Sequence, residues 1–159
     1  MTSFTWFFAC LLAYAAGCIN AAYYWARLRH GIDIREFGSG TAGARNIGRR
    51  YGLRGFVLIL FLDAALGALA VVIGLLVAGT QSLLPGCCAV LAVIGHVFPI
   101  QMRGRGGKGV AKALGAILTL LLAQATVYLW LFVPLVSVFL LFTNRKNLRR
   151  YMQKLTPIK

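Results

Sequence analysis

The sequence predicts an all-α fold: a polytopic membrane helical bundle of about five transmembrane helices, with the N-terminus outside and the C-terminus cytoplasmic. Three observations carry this. Of 159 residues, 60% are hydrophobic and only 13% charged, a balance that belongs to the membrane class. Several uncharged apolar runs are longer than a soluble core helix needs. All 17 Lys and Arg residues fall in three segments, Arg27 to Arg54 with seven, Arg103 to Lys112 with four, and Arg145 to Lys159 with six.

Crossing a hydrocarbon core of roughly 30 Å takes about 20 helical residues. Residues 4–26 carry no charge and form the first expected span. Ala13-Tyr14-Ala15 resembles a signal-peptidase site, but no Lys or Arg precedes the apolar stretch, and the charges after it oppose export, so it reads as an anchor. Residues 55–79, with the single charge Asp63, and residues 83–102 form two further spans. Gly79 to Ser82 supplies a tight turn between them. Residues 110–142 are too long for one straight crossing at 1.5 Å per residue. They are expected to cross twice, as 110–124 and 127–142, turning near Gln124 to Thr126, with Lys112 snorkelling and the bilayer thinning locally. Charge makes this choice, because the positive-inside rule places all three basic segments in the cytoplasm and requires an even number of crossings between the second and the third. The chain then reads as one integral membrane domain over 1–159, with cytoplasmic loops 27–54 and 103–109 and a tail at 143–159.

A net charge of +14 raises the question of nucleic acid. The basic residues are tethered at the membrane surface without interleaved stacking aromatics, so nucleic acid is not an expected partner. Anionic lipid headgroups account for part of the charge. Cys10, Cys18, Cys87 and Cys88 lack metal-ligand spacing and read as small packing residues.

The chemistry lies in the loops. The first runs from Asp33 to Arg50, with Gly38, Gly40 and Gly43 free to take positive φ and bring backbone close to a ligand. Successive amides in such turns form an anion-binding concavity. Ser39 and Asn46 add neutral hydrogen-bonding groups, and Arg45, Arg49 and Arg50 add forked cations suited to phosphate oxygens. A solvated loop with topogenic arginines explains this segment equally well. In the second loop, Gly104, Gly106, Gly107 and Gly109 surround Lys108 and lead directly into a helix, which leaves amides and the positive end of a helix dipole for an anion. It is not a nucleotide P-loop: Met102 stands at the first glycine and Gly109 at the magnesium-binding Ser or Thr.

His96 reads either as a hydrogen-bonded structural histidine or as a residue that positions substrate. Asp63, a carboxylate inside a span, reads either as functional or as bonded to a neighbouring helix or loop. Asn144 to Tyr151 alone is an ordinary stop-transfer tail.

Taken in order, these segments resemble the PlsY family, the bacterial membrane glycerol-3-phosphate acyltransferases that use acyl phosphate as donor. The likeness rests on Gly38, Ser39, Gly40, Gly43, Ala44, Asn46 and Arg49 in the first loop. It continues through Gly95, His96, Phe98, Pro99 and Gly106 through Ala111 in the second, and Arg145, Asn147 and Arg150 in the third. The chain departs from the family pattern at Thr41 and Arg45, at Leu66 where an Asp-x-x-Lys-Gly pattern puts Lys, at Asn144 in place of histidine, and at Thr156 in place of glutamate. Two family spans look to be absent, which makes this a shortened, divergent relative.

The resemblance implies transfer of an acyl group from acyl phosphate to glycerol 3-phosphate, giving 1-acyl-glycerol 3-phosphate and phosphate, at a multi-pass site in the inner membrane facing the cytoplasm. It implies catalytic roles for Ser39, Arg49 and Lys108. Substrate-binding roles fall to Gly38, Gly40, Arg45, Asn46, His96, Gly106, Gly107, Gly109, Arg145 and Asn147, with Gly106, Gly107 and Gly109 as the phosphate cradle. No metal or cofactor is called for, and two such short chains could pair as a homodimer to complete a cavity. The lost histidine motivates a non-catalytic binder of phospholipid precursors or of a membrane partner as the alternative, and Asp63 motivates a small anion transporter.

Overall fold

The computed structural model describes residues 3–123 and 126–155, with side chains placed over 3–123 and 132–146. Among these residues every regular element is helical: α1 (Ser3–Cys18), α2 (Ala21–His30), α3 (Ala44–Ala78), α4 (Leu84–Val97), α5 (Val110–Leu122) and α6 (Thr126–Leu155), with 3-10 turns at Ile34–Glu36 and Ile100–Met102. Helices Ala44–Ala78 and Leu84–Met102, the latter counting its 3-10 turn, are long and apolar enough to cross a membrane, and the α1–α2 pair makes a third if counted as one bent span.

Many large apolar side chains face outward, and many of the buried ones are small. Phe4, Phe7, Phe61, Leu76, Leu118 and Leu122 are exposed, while Ala9, Ala13, Ala70, Ala92, Ala113 and Ala116 are buried. A water-soluble protein of this size rarely exposes such a belt; a lipid-facing bundle does, because its helices associate through close packing of small residues. α3 and α5 show the geometry. A Cβ on Gly67 would lie 2.0 Å from the Lys112 carbonyl oxygen, and one on Gly115 would lie 1.9 Å from that of Ala64.

The boundaries differ from the sequence-based expectation at five places. The first apolar run is not one straight span: it bends by 46° between α1 and α2. α2 carries Tyr23, Tyr24, Trp25, Arg27 and Arg29, a composition suited to the membrane–water interface. The expected loop 27–54 is largely ordered as helix at both ends, because α2 runs to a left-handed Gly31 cap and α3 begins at Ala44. Within α3 the chain kinks at Gly52, whose φ of 77° and ψ of −173° separate a short basic helix from the apolar one. The third run stops being α-helical at Val97, before Phe98 and Pro99. Finally, the segment expected as a tail after 143 continues α6 to Leu155.

The turn expected near Gln124 lies partly outside the described residues. Its consequence is visible nonetheless: the Thr143 hydroxyl of α6 donates to the Lys108 carbonyl at 3.2 Å, and Val136 packs with Val93 and Ala113. α6 therefore runs back along α5 to the end of the bundle that bears the basic loops. At thirteen residues, α5 spans about 20 Å, shorter than a typical hydrocarbon core.

Candidate functional site

The first loop is folded around Asn46. This side chain is buried, with 2% exposure; its Nδ2 donates to the carbonyls of Ile34, Phe37 and Thr41, and its Oδ1 accepts from the Ser39 amide. Both amide hydrogens, and one acceptor site of the oxygen, are spent on backbone. The loop doubles back through Gly38 and Gly40, both at positive φ, and the exposed Ser39 has its Oγ 3.0 Å from Thr41 Oγ1. Beside it, Asp33 is held below the usual carboxylate value, first by hydrogen bonds from the Arg35 guanidinium. Arg35 in turn donates to the Met102 and Arg105 carbonyls and so ties the first loop to the second.

The second loop is closed by backbone contacts. The amides of Gly106 and Gly107 donate to the carbonyls of Val97 and His96, capping α4, and the Ala42 amide donates to Gly106. A Cβ on Gly107 would fall 2.1 Å from His96 Nε2 and 2.5 Å from the Ala42 carbonyl. These two glycines thus permit loop-on-loop approach, with their amides already engaged. Gly109, at φ 77°, turns the chain into α5, whose first turn has no side-chain cap.

A cavity of about 250 Å³ sits where these parts meet. It is lined by Ser39, Thr41, Gly43, Ala44, Arg45, Asn46 and Arg49 from the first loop and the start of α3. The second loop and α5 contribute Lys108, Gly109, Val110 and Ala111. Asp63 and His96 come from within the bundle, Asn144 from α6, and Phe56 and Leu60 form an apolar wall. Two helix N-termini without side-chain caps, those of α3 and α5, open onto it. The arrangement presents partial positive charge from both dipoles together with Arg45, Arg49 and Lys108, which favours an anion. A larger cleft of about 750 Å³ lies alongside and takes Gly40, Gly106, Gly107 and Arg105.

Two buried polar groups, Asp63 and His96, lie at the base of the cavity, with a third, Lys112, behind them. Asp63 Oδ1 accepts from the Ala21 amide at 3.2 Å and lies 3.9 Å from Lys112 Nζ and 3.7 Å from His96 Nδ1. His96 Nδ1 has no hydrogen-bond partner among the described residues. Lys112, fully buried, donates to the carbonyls of Ala16, Gly17 and Ile19. It does not snorkel, as its place near the end of a span suggested, because α1 offers it carbonyls inside the bundle.

Of the expected site residues, the cavity brings together Ser39, Arg45, Asn46, Arg49, His96, Lys108 and Gly109, whereas Gly40, Gly106 and Gly107 border the neighbouring cleft. Gly38 lies against Asn46. Arg145 is exposed, its guanidinium stacked over Phe142 at 4.6 Å, and the side chain of Asn147 falls outside the described residues. Sequence reasoning missed Asn144, which lines the cavity while its Nδ2 donates to the Leu140 carbonyl. It also missed Lys112, in the first turn of α5, as a residue placed beside the site.

Comparison with known proteins places this arrangement. The family model described as glycerol-3-phosphate acyltransferase matches residues 7–152. The glycerol-3-phosphate acyltransferase 1 of Desulfitobacterium hafniense is 42% identical over 128 residues, 79% of this chain and 63% of that protein. The glycerol-3-phosphate acyltransferase of Thermoanaerobacter sp. is 39% identical over 110 residues, 69% of this chain and 54% of its own length. This chain thus spans little more than half the length of such relatives. A crystal structure of PlsY, an integral membrane glycerol 3-phosphate acyltransferase in its glycerol 3-phosphate form, superposes with a TM-score of 0.81 at 26% identity, covering 94% of this chain and 92% of that one. The same enzyme in its lysophosphatidic acid form gives a TM-score of 0.79. This membrane protein belongs to the glycerol-3-phosphate acyltransferase family.

Proposed function

We propose that the chain transfers an acyl group from acyl phosphate to the hydroxyl of glycerol 3-phosphate, releasing 1-acyl-glycerol 3-phosphate and phosphate. The observation that carries this is the convergence, in one cavity beside an apolar wall, of two helix N-termini with Arg45, Arg49 and Lys108. Both substrates bear phosphate, and the donor also bears a hydrocarbon chain, so this pairing of surfaces suits them. Solved relatives described as glycerol 3-phosphate and lysophosphatidic acid forms support the same acceptor and product.

In the reaction the acceptor hydroxyl attacks the acyl carbonyl carbon. The new ester C–O bond forms as the C–O bond to phosphate breaks, and the departing phosphate leaves with the hydroxyl proton on one of its oxygens. An acyl phosphate is already activated, so catalysis consists mainly of positioning and of stabilising charge on the carbonyl oxygen and leaving phosphate. Lys108 and Arg49 hold the acceptor's phosphate and, from there, stabilise the charge that develops beside it. Ser39 orients substrate directly, Arg45 adds attraction at the rim, and Asn46 acts by holding the loop that carries Ser39. The basic segments face the cytoplasm at the inner membrane, with five crossings and the N-terminus outside.

One observation favours a second reading, a binder without turnover: Asn144 occupies the cavity where the family resemblance expects histidine, and its amide is already engaged with α6. The transport reading loses its motive, since Asp63 is held by the Ala21 amide within the bundle. The deciding experiment is phosphate release from an acyl phosphate by purified protein, with and without glycerol 3-phosphate. Release that depends on glycerol 3-phosphate, and that Lys108→Ala lowers by about a hundredfold or more, supports the enzyme. Binding of glycerol 3-phosphate without release would leave the binder in its place.

A further inference from the structure

The break between α1 and α2 is the least expected feature of the fold, and it is satisfied group by group. A helix that ends leaves its last four carbonyls without partners, and in a lipid-embedded bundle each such group is costly. Here the carbonyls of Ala16, Gly17 and Ile19 accept from Lys112 Nζ, and that of Cys18 accepts from Gln101 Nε2 at 2.6 Å. On the other side of the break, the Ala21 amide donates to Asp63 and the Tyr23 amide to Asn20 Oδ1. The charges match the dipoles, a cation at the C-terminus of α1 and a carboxylate at the N-terminus of α2.

The break also reaches the site. Asn20, buried between the two helices, donates its Nδ2 to the Ala42 carbonyl at 2.9 Å, and the Ala42 amide donates to Gly106. Moving the break would therefore move the point where the two substrate loops join. We propose that Lys112 is a positioning residue: from α5 it holds the α1–α2 break against Asp63, and through Asn20 and Ala42 it sets the glycine-rich loop that carries Ser39. This rests on the functional reading of the cavity given above.

The cation comes from α5, and the facing stretch of α3 provides none. Position 66 lies one turn beyond Asp63 on α3 and carries Leu, and the neighbouring Gly67 packs directly on the Lys112 carbonyl. A lysine at 66 would start from the same interface. This makes charge transposition the test.

Lys112→Met should lower kcat/KM for glycerol 3-phosphate about tenfold or more, as losses behind a directly acting group commonly do. It should also speed amide deuterium exchange at residues 20–24 and 42 while leaving α6 unchanged. Adding Leu66→Lys should restore both readouts in part, and adding Leu66→Met should restore neither. A role in overall stability alone would lower the unfolding midpoint without moving kcat/KM of the folded protein or the exchange rate at residue 42. Should Lys112→Met alone fail to yield folded protein, the double variants decide: recovery with Leu66→Lys only supports the proposal, and equal failure of both overturns it. Unchanged exchange and unchanged kcat/KM in Lys112→Met would also overturn it. Wild-type protein without phosphate release, but with the exchange pattern described, would instead count against the catalytic reading and leave the positioning of the loop standing.

Discussion

Asn46, expected to bind substrate, lines the cavity with its side chain hydrogen-bonded to loop backbone. Its two amide protons are shared among three carbonyls, and its oxygen holds the Ser39 amide. Asn46→Ala should therefore destabilise the protein by about 1–3 kcal/mol, the penalty of leaving buried backbone groups without partners. Thermal unfolding in detergent measures this, and an unchanged midpoint would show that the loop does not depend on Asn46. The cationic residues were legible in sequence, because Arg45, Arg49 and Lys108 stand among glycines just ahead of apolar runs. Lys112 was not. Its partners on α1 lie far away in sequence, and a lone charge near the end of an apolar run has snorkelling as its ordinary explanation.

Among the elements, helices were readable wherever apolar runs were long, and their interruptions were not. The break at Ile19 and Asn20 contains no proline, and it persists because Lys112, Gln101 and Asp63 satisfy the freed backbone from other elements. The kink in α3 has a local cause. Gly52 occupies a backbone region that is essentially restricted to glycine, so Gly52→Ala should cost about 1–3 kcal/mol. It should also reorient the short helix bearing Arg45 and Arg49, so that KM for glycerol 3-phosphate rises more than kcat falls. Steady-state kinetics test this, and wild-type KM in Gly52→Ala would detach the kink from the site.

For the molecule as a whole, the distribution of charge foretold the grouping of its loops. Arg49 and Lys108, from the first two basic segments, and Asn144, which directly precedes the third, line one cavity, so those regions share one end of the bundle. What the sequence could not supply was the exchange of large for small side chains between surface and interior, since that depends on which helices become neighbours. With the native cysteines replaced, cysteines introduced at Ser39 and Arg103 should both react with a membrane-impermeant maleimide added from the cytoplasmic side, and neither from outside. Labelling of the two from opposite faces would be incompatible with a common pocket.

The central claim is that cations and helix N-termini from two separate loops hold one phosphorylated acceptor. Calorimetric binding of glycerol 3-phosphate to the intact protein and to Arg49→Ala, Lys108→Ala and the double variant tests it most directly. The account predicts that each single change weakens binding about tenfold or more, in keeping with charge-assisted hydrogen bonds, and that the double variant loses less than the sum because both side chains address the same phosphate. Wild-type affinity in both single variants would contradict it.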